Sequence, residues 1–253
     1  MPLTVHQFPC LEDNYGFLVR DEASGQVACI DTPDAGAILR ELSSLGWKLD
    51  LILNTHWHPD HAGGNAEVKA ATGAEVVGPG EVTRIAKLDR EVRGGDHVML
   101  GETRFEVIET GGHTLGHIAY YAAADRAAFV GDTLFALGCG RLFEGQPDQM
   151  WASLQRLAEL PDETRVYCAH EYTASNARFA LSVDDDPALQ ARAAEVFAAR
   201  ERGEPTVPTT IGLEKATNPF LRAPQLAARV GAASEPAYQA FAAVRAAKDV
   251  FRG

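Results

Sequence analysis

No C-x-x-C pair occurs in the 253 residues, and the four cysteines, Cys10, Cys29, Cys139 and Cys168, stand far apart. That excludes a disulfide framework and a cysteine zinc site. Reduced thiols, packed as small apolar residues in a cytoplasmic protein, are expected instead. No apolar run approaches membrane-spanning length, so no membrane partner is expected. The start, Met1-Pro2-Leu3-Thr4-Val5-His6, lacks a basic region ahead of an apolar stretch, and no signal peptide is expected. Basic residues are in deficit. The formal net charge of −12 argues against nucleic acid, whose phosphates need a basic face. An anionic small molecule would need cations gathered locally. There is no internal repeat and no low-complexity tract, and nothing demands more than a monomer.

What is present is an ordinary globular composition, 46% hydrophobic and 23% charged, in a chain long enough to bury a core without staples. Short strands are predicted at Leu3–Phe8, Tyr15–Arg20 and Val27–Ile30, between Asp, Asn and Gly turns. Ile38, Leu39, Leu42 and Leu45 fall three or four apart and predict a helix over Ala35–Leu45. Leu51–Leu53 reads as a strand and Ala66–Ala71 as a helix. Further strands are predicted at Glu75–Val77, Arg104–Ile108, Ile118–Ala122, Ala127–Val130 and Val166–Ala169, with a helix over Asp148–Leu160. After Tyr172 alanine becomes dense and strand signals vanish. Helices are predicted over Ala188–Arg200 and Ala237–Val250, the second opened by Ser234-Glu235-Pro236 as capping hydroxyl and first-turn proline. Gly203–Pro224 reads as irregular. The division expected is an α/β domain over residues 1–172 and a helical segment over 173–253.

The strongest local pattern is His56-x-His58-x-Asp60-His61. Imidazole and carboxylate suit zinc and other first-row divalent metals. Pro59 argues against a helix through the motif, so a loop is expected. Alternate residues of an extended loop point the same way, which would turn His56 and His58 to one metal and Asp60 and His61 to a neighbouring one. His113 lies in a glycine-flanked loop after a strand, and Asp132 and His170 at strand ends, where function on an α/β scaffold is usually carried. His6 and His97 read as surface histidines, and His117 as a residue supporting the His113 loop.

These residues in this order resemble the metallo-β-lactamase superfamily, and within it the hydroxyacylglutathione hydrolase (glyoxalase II) family. Asp13-Asn14-Tyr15, Thr55–Gly64, Gly112–Ile118, Gly131–Phe135, Gly138–Gly145, Val166–Thr173, Gly203–Pro208 and Asn218-Pro219-Phe220 carry the resemblance over nearly the whole chain. It implies a four-layer αββα sandwich with a C-terminal α-helical, glutathione-binding domain. It implies two divalent metals, zinc first, with iron, manganese or mixed loading open. His56, His58, His113 and Asp132 would hold one; Asp60, His61, Asp132 and His170 would hold the other, with Asp132 bridging. The reaction implied is hydrolysis of S-2-hydroxyacylglutathione thioesters, chiefly S-D-lactoylglutathione, to D-lactate and glutathione in methylglyoxal detoxification. His56, His58 and Asp60 would serve catalysis, Asp60 by orienting the nucleophile. Arg141, Phe143, Tyr172, Arg245 and Lys248 match the substrate-binding positions. Arg141 stands where lysine is common and Phe143 where some members have tyrosine; the first keeps the charge and changes the donor geometry.

Other readings share parts of this pattern. A glutathione-linked persulfide dioxygenase would use one redox iron, whereas Asp60, His61 and His170 keep the second metal's set. A lactonase or β-lactamase has no reason for the tail. A non-catalytic scaffold would be expected to have lost ligands. Flavodiiron proteins usually carry Glu where His58 stands, and no flavin domain is present.

Overall fold

The computed structural model describes residues 3–253; the Met1-Pro2 start of the segment read for a leader lies outside them. The described residues form two compact units, residues 3–109 with 116–131, and 110–115 with 132–253. Among the described residues no helix is long and apolar enough to cross a membrane.

The first unit opens with β1 (Leu3–Cys10), β2 (Asn14–Asp21) and β3 (Val27–Ile30), then α1 (Ala35–Leu45) and β4 (Leu51–Leu53). The one-turn α2 (Pro59–Ala62), α3 (Asn65–Thr72), β5 (Glu75–Gly78) and β6 (Arg90–Glu91) follow. Strands β1 to β6 lie in chain order in one sheet, β1–β2 and β2–β3 antiparallel and the rest parallel. The register sets Leu18, Cys29, Ile52 and Val76 side by side in one row. They share a core with Ile38 and Leu42 of α1 and Val68 of α3, which is why α1 needs its apolar stripe. Asp34 caps α1 by accepting from the Ala37 N–H, and Gly46 ends it at φ 65°, a left-handed residue that favours glycine.

An antiparallel meander completes this unit: β7 (His97–Leu100), β8 (Thr103–Glu109), β9 (Ile118–Ala122) and β10 (Ala127–Gly131). It packs on the first sheet through Phe129, whose ring lies 5.8 Å from Phe17 and 6.2 Å from Phe105. The Tyr120 hydroxyl donates to Asn54 O at 2.9 Å, tying β9 to the end of β4. Because β3 to β5 are buried on both faces, they read as short apolar runs without alternation.

The second unit holds the ribbon β11 (Leu134–Phe135) and β12 (Gly138–Cys139), α4 (Pro147–Ala158) and β13 (Arg165–Cys168). Then come α5 (Thr173–Val183), α6 (Pro187–Glu201), β14 (Thr209–Thr210), α7 (Ile211–Thr217), α8 (Ala223–Leu226) and α9 (Ala237–Val250). Its polar centre is buried. Glu214 pairs with Arg192 and accepts from the Thr209 hydroxyl. Glu214 Oε2 also accepts from Leu137 N and Asn218 Nδ2, each at 2.9 Å. Asn218 donates on to Gly138 O at 2.9 Å, and Asn176 to Ala136 O at 3.1 Å. The β11–β12 ribbon is thus held by helices far along the chain, which is why residues 132–172 group with the tail.

Three local expectations change. The stretch expected to be irregular contains β14 and α7, held by that network. Ser234 does not cap α9, which starts at Ala237 behind an N-cap Pro236 that makes no side-chain cap hydrogen bond. The motif loop contains α2; Pro59 at its first position lacks only an N–H that would have no intrahelical partner there.

Arg192→Met would leave the Glu214 carboxylate buried without its counter-charge. It should cost about 3–5 kcal/mol, read from the urea midpoint at unchanged slope; a loss under about 1 kcal/mol contradicts this account of the tail.

Candidate metal centre and substrate cavity

Strand β4 ends at Leu53, and the chain leaves the core through Asn54 and Thr55 into the histidine motif. Asp31, one residue past β3, accepts from the Thr55 N–H at 2.7 Å and from its hydroxyl at 2.8 Å. It also faces His61 Nδ1 at 2.8 Å. A carboxylate only accepts, so His61 carries its proton on Nδ1 and its lone pair on Nε2. The Thr55 hydroxyl proton goes to Asp31, so the same oxygen accepts from His56 Nδ1, 3.1 Å away. His56 therefore also keeps its lone pair on Nε2. That atom lies 3.0 Å from His58 Nδ1, and His61 Nε2 lies 3.5 Å from Asp60 Oδ2. Asn14 Nδ2 donates to Asp60 Oδ2 at 3.2 Å and orients that carboxylate. His117, fully buried, stacks on His56 with ring centroids 4.7 Å apart. Gly131, at φ 48°, closes this packing: a Cβ there would come within 2.6 Å of Thr55 Oγ1 and 2.7 Å of His117 Nε2.

The second unit repeats the device with a peptide carbonyl. His113 Nδ1 donates to Arg141 O at 2.9 Å, leaving the lone pair on Nε2, which sits 3.4 Å from Asp132 Oδ2. His170 Nε2 lies 3.4 Å from Asp132 Oδ1. All three side chains are under one tenth exposed. A lone pair turned on a carboxylate at this distance is repulsive unless a cation is shared. Imidazoles so fixed, with carboxylates beside them, fit divalent metal. Gly140 is required here, because a Cβ would lie 1.9 Å from Asp132 O.

Beside His113 and Asp132 lies a cavity of about 490 Å³ lined also by Arg141, Tyr172, Arg245 and Lys248, with Phe143 at its edge. That volume falls within the range of small-molecule sites. The Tyr172 ring stacks flat on His170, 4.7 Å between centroids. Phe143 sets its edge on His113 at 5.2 Å and is 63% exposed. Arg245 is buried, with its guanidinium 4.9 Å from the Phe220 ring centre. Lys248 donates to Ser175 O at 3.0 Å. Burial, with Arg245, Arg141 and Arg178 nearby, brings its ammonium down to about 8. A locally basic cavity thus exists in an acidic chain.

The structure therefore brings His56, His58, Asp60 and His61 together in one unit, and His113, Asp132 and His170 together in the other. Arg141, Phe143, Tyr172, Arg245 and Lys248 join the latter set around one cavity. His6 instead pairs with Glu41 at 2.8 Å, and His97 is exposed on β7. Sequence reasoning missed Asp31, Thr55, Ser175 and Asp249. Asp31 left one usable signal, a charged residue directly after an all-apolar strand. All four cysteines are unpaired and buried.

Residues 17–170 match the metallo-beta-lactamase superfamily model and residues 171–251 the model of the hydroxyacylglutathione hydrolase C-terminus. A hydroxyacylglutathione hydrolase of Maricaulis maris (strain MCS10) is 57% identical over 98% of this chain and 99% of its own length. One of Erythrobacter litoralis (strain HTCC2594) is 54% identical over 98% and 100%. The crystal structure of ETHE1 from Myxococcus xanthus superposes with a TM-score of 0.70 at 28% identity, covering 98% of this chain and 92% of that one. TTHA1623, solved in a di-iron-bound form, gives 0.63 at 27% identity over 86% of this chain and all of that one.

Asp31→Asn keeps a residue that tolerates the left-handed backbone (φ 57°) but removes the charge that orients His61. Metal affinity, measured by chelator competition, should fall about 10–100-fold with the circular dichroism spectrum unchanged; an unchanged affinity contradicts the tautomer argument. With its metal-fitting residues, its mixed α/β fold and its helical C-terminal region, the chain belongs to the hydroxyacylglutathione hydrolase family of metal-dependent hydrolases in the metallo-β-lactamase superfamily.

Proposed function

We propose that the protein hydrolyses the thioester of S-2-hydroxyacylglutathiones, S-D-lactoylglutathione first among them, to the 2-hydroxy acid and glutathione. The observation that carries the reading is a single cavity lined by Arg245 and Lys248 as well as by His113 and Asp132. It puts carboxylate-binding cations and candidate metal-ligating groups on the same cavity, as a glutathione thioester requires. A simple lactone does not need the cationic end, and the kinship to hydroxyacylglutathione hydrolases supports glutathione thioester hydrolysis over β-lactam hydrolysis or persulfide oxidation.

His56, His58, His113 and Asp132 would hold one divalent cation. Asp60, His61, Asp132 and His170 would hold a second, with zinc the first candidate and iron, manganese or mixed loading compatible with the same donors. When bound, such a pair lowers the pKa of a shared water towards neutrality and polarises the reacting carbonyl. Asp60, turned by Asn14, orients the nucleophile. Arg141, Arg245 and Lys248 hold the glutathione anion, and Tyr172 and Phe143 wall the path. The leaving group is a thiolate, whose parent thiol has a pKa near ~8.5, so no general acid is assigned. Residues 1–172 would carry the chemistry together with Arg141, Phe143 and Tyr172, and 173–253 would form the helical glutathione-binding domain with Arg245 and Lys248. A monomer acting in the cytoplasm on methylglyoxal-derived thioester completes the proposal, with neither nucleic acid nor membrane as partner; the unpaired cysteines support the compartment.

Purified protein should turn over S-D-lactoylglutathione while carrying two metal equivalents by elemental analysis. Asp132→Ala should lose at least one equivalent and nearly all turnover; full activity in a metal-free preparation contradicts the proposal. Lys248 sets a pH dependence. A bound carboxylate favours the charged ammonium, and that charge is lost as pH rises through about 8. KM should therefore climb above that pH while staying flat below it, and Lys248→Met should flatten the climb at a higher KM throughout. A KM independent of pH across that interval contradicts the role of Lys248.

A further inference from the structure

Arg245 meets the cavity with a half-filled fork. Its Nη1 donates to Cys139 O at 3.0 Å and its Nη2 to Asp249 Oδ1 at 2.9 Å. Its Nε is buried with no hydrogen-bond partner among the described residues. Nε–H and Nη2–H form the side-on edge of a guanidinium, the geometry that takes both oxygens of a carboxylate. Asp249 occupies one tooth of that edge and leaves the other idle. Its own side chain is 46% exposed at the cavity, against 6% for Arg245.

Asp249 is also badly placed for helix stability. It sits in the last turn of α9 (Ala237–Val250), where the macrodipole disfavours an anion. Its i,i+4 partner Arg245 lies earlier in the helix, the weaker orientation for such a pair. The carboxylate end of the pair faces solvent, and screening there limits what the pair adds to folding.

We infer that Asp249 is an internal stand-in for the substrate carboxylate, holding the Arg245 edge until glutathione displaces it. This deepens the function proposed above and rests on it for the ligand. The stand-in keeps a buried guanidinium paired while the cavity lacks ligand. It also weakens the hold on glutathione, which as the product must leave after each turnover. The repulsion between Asp249 and the incoming carboxylate is partly screened, since Asp249 faces solvent.

The test is the dissociation constant of free glutathione, by titration calorimetry on metal-loaded wild-type protein and Asp249→Asn at pH 6.5, where Lys248 stays charged. Asp249→Asn should bind glutathione about 3–10-fold more tightly and lower KM for S-D-lactoylglutathione by a similar factor. The gain should vanish for glutathione amidated at its glycine carboxylate, and Asp249→Ala should behave alike. Unchanged or weaker binding in both variants overturns the inference, because a residue that aligned Arg245, or bound the glutathione ammonium, would act in that direction. An equal gain for the amidated ligand overturns it too. Wild-type protein that binds glutathione but hydrolyses none of its thioesters refutes the proposed reaction and leaves this binding comparison decisive for Asp249.

Discussion

Asp31 takes three hydrogen bonds into one buried carboxylate, and the order of the histidine motif follows from them. Two come from Thr55 and one from His61. Because the Thr55 hydroxyl spends its proton on Asp31, it accepts from His56, so a single anion fixes the tautomers of two imidazoles. Both rings then carry lone pairs on Nε2. A carboxylate thirty residues upstream decides which nitrogen a cation would meet, at a backbone position (φ 57°) that few side chains tolerate.

The other unit reaches the same state by different means. Here Arg141 O sets the His113 tautomer, and the chain just before it is fixed by helices of the tail. Glu214 holds Leu137 N, Asn218 holds Gly138 O and Arg245 holds Cys139 O. The tail therefore supports His113 through the backbone as well as shaping the cavity. A tail serving only as a detachable substrate clamp would have no need of a fully buried glutamate reaching back some eighty residues.

Local signals were legible where they were strong. Helix α1, with its apolar stripe, aspartate cap and terminal glycine, was predicted to the residue. Helix α5 was missed because it begins at Thr173, straight after the His170 loop, with Tyr172 as an N-cap that offers no capping hydrogen bond. Helix α7 was missed because seven residues amid Pro, Thr and Gly form it by tertiary hydrogen bonding rather than propensity. The candidate ligands stood out by residue type and spacing, since few other roles call for H-x-H-x-D-H. Asp31 and Asp249 were not, because an aspartate's task is set by what folding puts beside it. The helical expectation against Pro59 failed for a related reason: a proline ends a helix from inside but opens one comfortably.

Cation binding at these histidines depends on which ring nitrogen of each holds the proton. Long-range proton–nitrogen NMR spectra of the metal-stripped protein, near pH 7.5, read this directly. His56, His61 and His113 should each show a protonated Nδ1 and a bare Nε2. Protonation on Nε2 in these rings, or fast exchange between tautomers, would contradict the account at its root.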